Sequence, residues 1–580
     1  MNKNIIALLL SVIFVLIIFR ALVLNYNTHL INAAPYTSLS TQRCIEDKYV
    51  FLWSLWWTDR ALQGKNPLLT TNFLFDFSPT SLIYNTNSIY QHFISKPFIK
   101  ILKPDSGVYI AQYNIYLIIT RILSVFFMFV LLNYITPENF ISNMFLSFLF
   151  ILHPYVFKLT DQLNIASTEL FPLLIYFLLK FSNTENFKYS FFIGILLSLQ
   201  IFSSPNYWAA SLIIIATWCV FCFFSKIKNI KKTIFSLIII FATHTFLISP
   251  FLYQVFFSNI DKNIPVFYPL KYTYLLSINI KDLFIQHSHY SVYFGYFLLS
   301  ILLFSFFINK NFNLKFGLSL FFTFLILSLG AYLCFDNFHK IFSNELYYIL
   351  KSIAGEPFAN KAKDYLGIPL PYILINKLPV IKGFRAPYLF FIIVLISMLF
   401  SASFVFNSLK VNKKLKLLIL ITFFSVSVIE YSPYKYNLTK IIIPDFYNII
   451  KNDTSEKSVL EIPVSRDRNH YMYFQTYHEK KLLLSGVISR FNYKQKLKPL
   501  IYIEDDFIDT PYYSGGRKIW FKEWQAKTDW KTLSEKYNVG YIVFHKNLLN
   551  QSGLNKLKKL VAENFFKLIY EDEYDTVLKI

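Results

Sequence analysis

Long apolar runs, each close to 20 residues, fill most of the chain before residue 432 and alternate with short polar connections. A bilayer core about 30 Å thick is crossed by about 20 helical residues. The pattern therefore predicts about eleven membrane-spanning helices, near residues 5–25, 110–134, 139–153, 166–181, 188–204, 206–224, 233–256, 291–308, 315–335, 386–406 and 415–431.

The pattern changes after residue 431, where long apolar runs stop and charged residues become frequent. Short β-like runs follow at Ser458–Pro463, Lys481–Val487, Val539–Phe544 and Phe566–Ile580, and a helical pattern covers Asn555–Phe566. The predicted fold class is a polytopic α-helical membrane protein with a small α/β domain at its C-terminus. The predicted boundaries are 1–431 for the multi-pass domain and 432–580 for the soluble domain.

The distribution of lysine predicts how the spans are oriented. Four short connections are basic and almost free of acids; they contain Lys180 and Lys188, Lys226 to Lys232, Lys310 and Lys315, and Lys410 to Lys416. With eleven spans and a cytoplasmic N-terminus, all four connections lie in the cytoplasm, as the positive-inside rule requires. The loop 26–109 and the C-terminal domain then lie outside the cytoplasm.

Composition excludes several classes of protein. Of the 580 residues, 55% are hydrophobic, 19% aromatic and only 16% charged, whereas soluble proteins carry about 25% charged residues. A soluble enzyme, a disordered protein and a disulfide-rich secreted scaffold are therefore excluded. The net charge of +23 is explained by the lysines of a membrane protein, so no nucleic-acid partner is expected.

Candidate chemistry is densest in the outer loop. Trp53, Trp56 and Trp57 share one helical face, which predicts an amphipathic helix lying in the headgroup layer. Glu46 and Asp47 stand just before it, where a carboxylate can take a proton from a hydroxyl or hold a divalent cation. Both acids could equally be solvated loop charges or favourable charges at a helix N-terminus. Asp76, further along the loop, is either a second acid of the site or a turn cap.

A series of different short motifs is spread along the chain, from the outer loop to the C-terminal region. They are Asp47 with the aromatic run Phe51 to Trp57, Ala61-Leu62, Asn66-Pro67, Ser78-Pro79, Asp161-Gln162-Leu163-Asn164 with Glu169 and Pro172, Gly383 to Pro387, Val459 to Pro463, Met472 to His478, and Gly486 to Arg490. This series resembles bacterial membrane proteins of the GT-C glycosyltransferase superfamily. Glu46 stands where the pattern of that superfamily has Gly.

The resemblance implies an inverting transfer of sugar from a polyprenyl-phosphate-linked donor. The acceptor would be a glycan, lipid or protein on the extracytoplasmic face of a bacterial cytoplasmic (inner) membrane. Asp47 would act as general base or orient the acceptor hydroxyl. Glu46, Asp76 and Asp161 would help to bind the acceptor or a metal, and a divalent cation such as Mg²⁺ or Mn²⁺ is a candidate cofactor whose need the sequence does not establish.

Two arginines are candidates for contacting the donor phosphate. Arg385 stands at the start of the tenth predicted span, where it is alternatively an interfacial anchor. Arg121 lies in the middle of a span, where a charge marks a functional site, an internal ion pair or a side chain capped by backbone carbonyls. In the tail, Gln475, His478 and Arg490 match the superfamily pattern and are candidates for contacting carbohydrate, with packing inside the domain as the alternative.

Two non-transferase functions remain open at this stage. One is a non-enzymatic assembly factor for envelope glycans, in which the C-terminal domain binds a partner. The other is a flippase or transporter for a lipid-linked glycan, which needs polar residues along a path through the spans. The spans offer few such residues beyond Arg121 and His244, and His244 is more typical of a hydrogen-bonded structural histidine.

Overall fold

The computed structural model describes residues 2–32, 47–74, 80–82, 88–224, 230–257, 277–285, 292–308, 311–333, 368–376, 386–431, 436–462, 469–483, 530–549, 551–563 and 565–580. The helices before residue 432 are α1 Lys3–Ile18, α2 Arg20–Leu24, α3 Asp47–Leu62, α4 Ile89–Leu102, α5 Val108–Ile135, α6 Phe140–Leu152, α7 Pro154–Lys158, α8 Leu163–Ala166, α9 Leu170–Thr184, α10 Lys188–Ser203, α11 Pro205–Phe224, α12 Ile230–Phe257, α13 Tyr296–Ser305, α14 Phe312–Ser328, α15 Tyr372–Ile375, α16 Phe391–Ser408 and α17 Lys413–Tyr431. Short 3₁₀ turns lie at Leu159–Asp161, Ile280–Leu283 and Pro387–Phe390.

A helix coincides with each of the eleven predicted spans. Among the described residues, five helices are long and apolar enough to cross a membrane: Val108–Ile135, Leu163–Thr184, Pro205–Phe224, Ile230–Tyr253 and Pro387–Ser408. The other predicted spans are shorter apolar helices, or, for α17, a helix with several lysines in its first turns. The helical positions of the spans are confirmed, and the count of eleven stays a prediction.

The bundle has two distinct ends. At one end, which carries α3 and α4 and is called here the loop end, Asn114 of α5 donates hydrogen bonds to the carbonyl oxygens of Tyr26 and His29. At the opposite end, Lys232 pairs with Glu185, and the connections that hold Lys416 and Lys188 are found. These lysines of the predicted basic connections therefore lie at the end away from α3, and the orientation of the bundle in the membrane stays a prediction.

The tryptophan-rich helix α3 begins at Asp47, and the prediction of a helix there is correct. Its predicted position on the membrane surface is wrong, because Trp53, Trp56 and Trp57 are all at most 2% exposed. The helix is buried between α4, α5 and a helix of the C-terminal region, α19 (His470–His478). Its indole rings pack against protein on every side and not against lipid headgroups.

The C-terminal region contains a four-stranded sheet. Its remaining helices are α18 Phe446–Asn452, α20 Trp530–Tyr537 and α21 Gln551–Val561. The strands are β7 Ser458–Ile462, β8 Val539–His545, β9 Lys567–Glu571 and β10 Asp575–Lys579. Their order is β7-β8-β10-β9, with β7 parallel to β8 and the other pairs antiparallel. The strands predicted at these places are therefore present. In the predicted run at Lys481–Val487, the described residues show one bridge, between Leu482 and Val459.

Short strands elsewhere form antiparallel pairs that connect one loop to another. They are β1 His29–Ile31, β2 Thr70–Thr71, β3 Thr80–Ser81, β4 Tyr332–Leu333, β5 Ile368–Pro369 and β6 Leu438–Lys440. The pair β1–β6 is antiparallel and joins the beginning of the outer loop to the segment that follows α17. The C-terminal region is thereby attached at the loop end of the bundle.

A buried histidine links three strands of the C-terminal sheet. His545 lies between two carboxylates, with Nδ1 at 2.7 Å from Asp575 and Nε2 at 3.0 Å from Glu461. Tyr447 donates a further hydrogen bond, 2.8 Å long, to Glu461. Burial by itself lowers the pKa of His545, but the hydrogen bonds to Asp575 and Glu461 outweigh it and raise that pKa to about 9. The imidazolium is therefore the favoured form at neutral pH.

This network predicts that stability falls at alkaline pH. The folded protein holds the His545 proton up to about pH 9, whereas an unfolded histidine releases it near pH 6.5. The contribution of this proton to the free energy of unfolding is therefore complete below about pH 6.5 and is lost as the pH rises through 9. The loss is on the order of 2 kcal/mol. Thermal unfolding of full-length wild type and of His545→Gln should be compared between pH 6 and 9.5. Equal slopes with pH in both proteins would contradict the prediction.

Candidate functional site

The carboxylate of Asp47 lies at the first residue of α3, at the loop end of the bundle. Gln162, in the connection between α7 and α8, donates a hydrogen bond from Nε2 to Asp47 Oδ2, with a distance of 2.5 Å. The Asp47 side chain is half-buried, so it is held by protein and still reached by solvent. Its position in the first helical turn also places it near the positive end of the helix dipole, which favours the carboxylate form.

The middle of α3 is fixed to the C-terminal region. Trp53 Nε1 donates a hydrogen bond to Gln475 Oε1 at 2.7 Å. The amide nitrogen of Gln475 donates in turn to the carbonyl oxygens of Phe73, at 2.6 Å, and Lys480, at 3.0 Å. One buried amide therefore ties α3, the outer loop and α19 together.

The C-terminal end of α3 has its own ionic contacts. Arg60 donates to Glu479 at 3.0 Å, and its guanidinium lies over the rings of Trp56 and Phe73. Asp59 pairs with Lys96 of α4 at 2.6 Å. The helix that begins at Asp47 is thus held at its start, middle and end, which limits the movement of the carboxylate.

A second acid lies beneath the loop end. Glu169 is fully buried and accepts hydrogen bonds from Tyr90 of α4, at 2.8 Å, and from Thr120 of α5. On the same helix as Thr120, Tyr116 bonds to Ser167. These bonds join α4 to the transmembrane bundle, so Glu169 has the contacts of a residue that positions the outer loop.

Arg121 is buried in α5 and is capped by backbone oxygens. Its Nη2 donates to the carbonyl of Val156 at 3.0 Å, and its Nη1 to that of Ala166 at 3.4 Å. Capping by carbonyls is one of the alternatives to a phosphate contact that the sequence left open. His244 likewise has the structural role favoured from the sequence, because both of its ring nitrogens are bonded, to Ser198 and Trp208.

The two described candidates of the C-terminal region are both buried. Gln475 is 0% exposed, and its amide is engaged with Trp53 and two carbonyls. His478 accepts a hydrogen bond from the backbone N–H of Lys480, and its ring stacks on Tyr447. Burial lowers the pKa of His478 to about 3. Packing inside the protein, the alternative to carbohydrate contact, is the arrangement observed for both.

The remaining candidates lie wholly or partly outside the described part of the chain. Glu46, Asp76, Arg385 and Arg490 lie outside the described residues. The backbone of Asp161 ends a 3₁₀ turn immediately before Gln162 and is therefore close to the start of α3, but its side chain is outside the described part. Within the described part, no group of three or more His, Cys, Asp and Glu side chains is arranged to hold a metal ion.

Two residues of the site were not predicted from the sequence. Gln162 belongs to one of the short motifs, but nothing in its neighbours indicates a contact with Asp47, 115 positions earlier. Glu169 likewise belongs to a motif, and the sequence does carry a signal for it, since an acid at the start of an apolar span is rare and marks a functional or structural partner.

The similarity of this chain to known proteins is one of structure and not of sequence. No protein-family model matches the chain, and no curated protein sequence is detectably similar to it. Among solved structures, arabinofuranosyltransferase AftD from Mycobacteria is similar with a TM-score of 0.55 and 9% identity, over 100% of this chain and 40% of AftD. The Archaeoglobus fulgidus oligosaccharyltransferase in its apo form gives a TM-score of 0.46 and 12% identity, over 93% of this chain and 69% of that protein.

This chain therefore spans less than half the length of the mycobacterial protein that it resembles. The likeness to AftD over the whole chain concerns the path of the backbone, since identity is only 9%. The apolar helices and this likeness together establish a multi-pass membrane protein with a GT-C-like fold, as the resemblance in sequence predicts.

Proposed function

We propose that this protein is a membrane glycosyltransferase that moves a sugar from a polyprenyl-phosphate-linked donor to an acceptor hydroxyl on the extracytoplasmic face. The observation that carries the proposal is the position of Asp47, a half-buried carboxylate at the start of a rigidly held helix at the loop end of the bundle. The name of AftD, which has the same fold, supports glycosyl transfer as the class of reaction.

In the proposed reaction, Asp47 accepts the proton of the acceptor hydroxyl as that oxygen attacks the anomeric carbon of the donor sugar. The new carbon–oxygen bond forms while the bond from the anomeric carbon to the phosphate oxygen breaks. The polyprenyl phosphate leaves with the bonding electron pair, and attack from the opposite side inverts the anomeric configuration. Gln162 would orient the Asp47 carboxylate through its 2.5 Å hydrogen bond.

Several contacts suit this role. A base must be held within hydrogen-bond reach of the proton that it removes, and α3 is held by Gln162, Gln475 and Glu479 along its length. In this proposal the loop end lies at the extracytoplasmic membrane surface, so Asp47 would be near the level at which a lipid-linked phosphate leaves the bilayer. The proposal includes the identity of the donor and acceptor and the cell membrane in which the protein lies. It also includes a cytoplasmic N-terminus and a domain boundary between residues 431 and 432.

The proposal is tested by deleting the protein from its own cell and restoring it. Surface glycans and polyprenyl-linked sugars of the deletion strain and of the complemented strain should be compared by mass spectrometry. Loss of one sugar from the glycan, with accumulation of the same sugar on polyprenyl phosphate, is the expected result. Accumulation of a completed lipid-linked glycan would instead indicate a flippase. Surface glycans of altered and variable composition, with unchanged pools of the lipid-linked donor, would indicate an assembly factor.

A further inference from the structure

The chain between α6 and α9 is not a continuous helix. Residues 153–168, called here the connecting segment, contain the short helices α7 and α8 and the 3₁₀ turn Leu159–Asp161 between them. This segment carries Gln162, whose amide donates to the Asp47 carboxylate. Irregular backbone inside a membrane domain is tolerated only where protein or water satisfies its polar groups. The partners of this backbone therefore show what fixes the position of Gln162.

A stripe of buried polar side chains on α5 supplies many of these partners. Its members lie three or four residues apart or on the adjacent turn, so they share one side of the helix. Each is at most 1% exposed and bonds to the connecting segment; they are Tyr113, Tyr116, Thr120, Arg121 and Ser124. Helix α5 therefore holds the segment along much of its length.

Arg121 reaches both ends of the segment. Its Nη2 donates to the carbonyl oxygen of Val156 at 3.0 Å, and its Nη1 to that of Ala166 at 3.4 Å. One carbonyl precedes Gln162 in the chain and the other follows it. In the described part of the chain these carbonyls, and not a carboxylate, accept hydrogen bonds from the guanidinium. The planar fork of an arginine can bond two separate acceptors at once, so it holds the two ends in a fixed relation.

Tyr113 holds the middle of the segment. Its hydroxyl donates to the carbonyl oxygen of Thr160 at 3.1 Å, just before Asp161 and Gln162. Tyr113 precedes Arg121 on α5 by about 12 Å along the helix axis, toward the loop end. The segment thus runs from the level of Arg121 toward the loop end, turns near Gln162 and returns. Gln162 lies at this turn, where it meets the start of α3.

We propose that Arg121 positions Gln162 against Asp47 by holding the two ends of the connecting segment together. Arg121 is a positioning residue, because it acts through the backbone of the segment. Its effect on sugar transfer rests on the proposed function, whereas its effect on the geometry of Gln162 and Asp47 does not. The competing role, a contact between Arg121 and the donor phosphate, predicts weaker donor binding and unchanged geometry at Gln162.

Cross-linking measures this geometry without any sugar transfer. The full-length protein, with its four natural cysteines replaced by serine, receives Asp47→Cys and Gln162→Cys and is treated in membranes with a short bifunctional methanethiosulfonate. The native side-chain atoms are 2.5 Å apart, so the pair should cross-link readily. Arg121→Lys keeps the charge but brings its donors to one point, and should lower the rate at least about fivefold. An unchanged rate overturns the proposal.

A second cysteine pair controls for general loosening of the bundle. Asn139 and Asn407 lie at the opposite end, and their side chains bond at 2.5 Å. Asn139→Cys with Asn407→Cys should cross-link at the same rate whether residue 121 is arginine or lysine. An equal fall in the rates of both pairs would mean that Arg121 only stabilises the bundle, which overturns the proposal.

Transfer assays test the consequence for the reaction. In Arg121→Lys, kcat should fall at least about tenfold while KM for the lipid-linked donor stays within about twofold, since a displacement of about 1 Å can cost about 100-fold in rate. Added to Gln162→Leu, Arg121→Lys should lower kcat by no more than a further factor of about two, because both act through one contact. A raised KM with unchanged kcat, or full losses that multiply in the double variant, overturns the proposal.

A milder variant decides the matter if Arg121→Lys does not reach the membrane. Tyr113→Phe removes only the hydroxyl that holds Thr160, and should slow cross-linking at least about twofold. Its matched control is Tyr436→Phe, which loses a hydroxyl bonded at 3.2 Å to the last carbonyl of α1 and should leave the rate unchanged. Equal rates in these two variants overturn the proposal. If Asp47→Asn transfers sugar normally, the proposed function fails, and the cross-linking rates still decide the role of Arg121.

Discussion

Replacing Asp47 by Asn is expected to lower the rate of sugar transfer at least about 100-fold, because a positioned general base contributes about 10²- to 10⁴-fold to such a step. The amide keeps the size of the carboxylate and can still bond to Gln162, but it cannot accept the acceptor proton. Transfer should be measured in membranes that contain equal amounts of each protein. The lipid extract and the envelope acceptor of the deletion strain serve as substrates, since both should accumulate there.

The matched control for this prediction is Asp105→Asn. Asp105 lies in the same predicted outer loop, is exposed, and loses the same charge on substitution. Its transfer rate should stay within about twofold of wild type, since removing a surface charge changes little. Equal rates for Asp47→Asn and Asp105→Asn would remove Asp47 from the proposed chemistry.

Replacing Gln475 by Leu is expected to release the C-terminal region from α3. The substitution leaves the buried Trp53 Nε1 without its acceptor and removes a donor from the part-buried carbonyl oxygens of Phe73 and Lys480, of which that of Phe73 keeps the backbone N–H of Leu482. An unsatisfied buried polar group costs about 1–3 kcal/mol. The free energy of unfolding is therefore expected to fall by about 2 kcal/mol or more. Limited proteolysis and thermal unfolding of the full-length protein measure this loss.

Thr476→Val is the control for that prediction. Thr476 is the next residue of α19, is half-buried, and donates only to the carbonyl of Tyr473 on its own helix. Its removal should change stability by less than about 1 kcal/mol. If Gln475→Leu is no more sensitive to protease than Thr476→Val, the amide does not hold α3 to α19, and the C-terminal region is attached by other contacts, such as the Arg60–Glu479 ion pair and the β1–β6 strand pair.

The spans could be predicted from the sequence because a run of about 20 apolar residues has few other uses. The start of α3 could be predicted for a related reason, since Asp47 followed by aromatic residues at helical spacing is typical of a helix N-terminus. The burial of that helix could not. Three tryptophans on one helical face fit a membrane interface and a protein interior equally well, and the deciding contact joins Trp53 to Gln475, 422 positions away.

The side of α4 that faces the protein could not be predicted either. Spacing alone does not say which side faces the protein, because that depends on partners such as Ser203 and Gln112 on other helices. Gln162 was unpredictable for a similar reason: a neutral amide in a connection carries no charge or periodicity from which a contact with Asp47 could be inferred.

The most direct test of the proposed transfer is the pool of polyprenyl-linked sugars in cells that carry wild-type protein or Asp47→Asn at matched membrane levels. The account predicts that the variant accumulates one lipid-linked sugar and that the same sugar disappears from the surface glycan. Identical lipid pools and identical glycans in the two strains would contradict catalysis at Asp47.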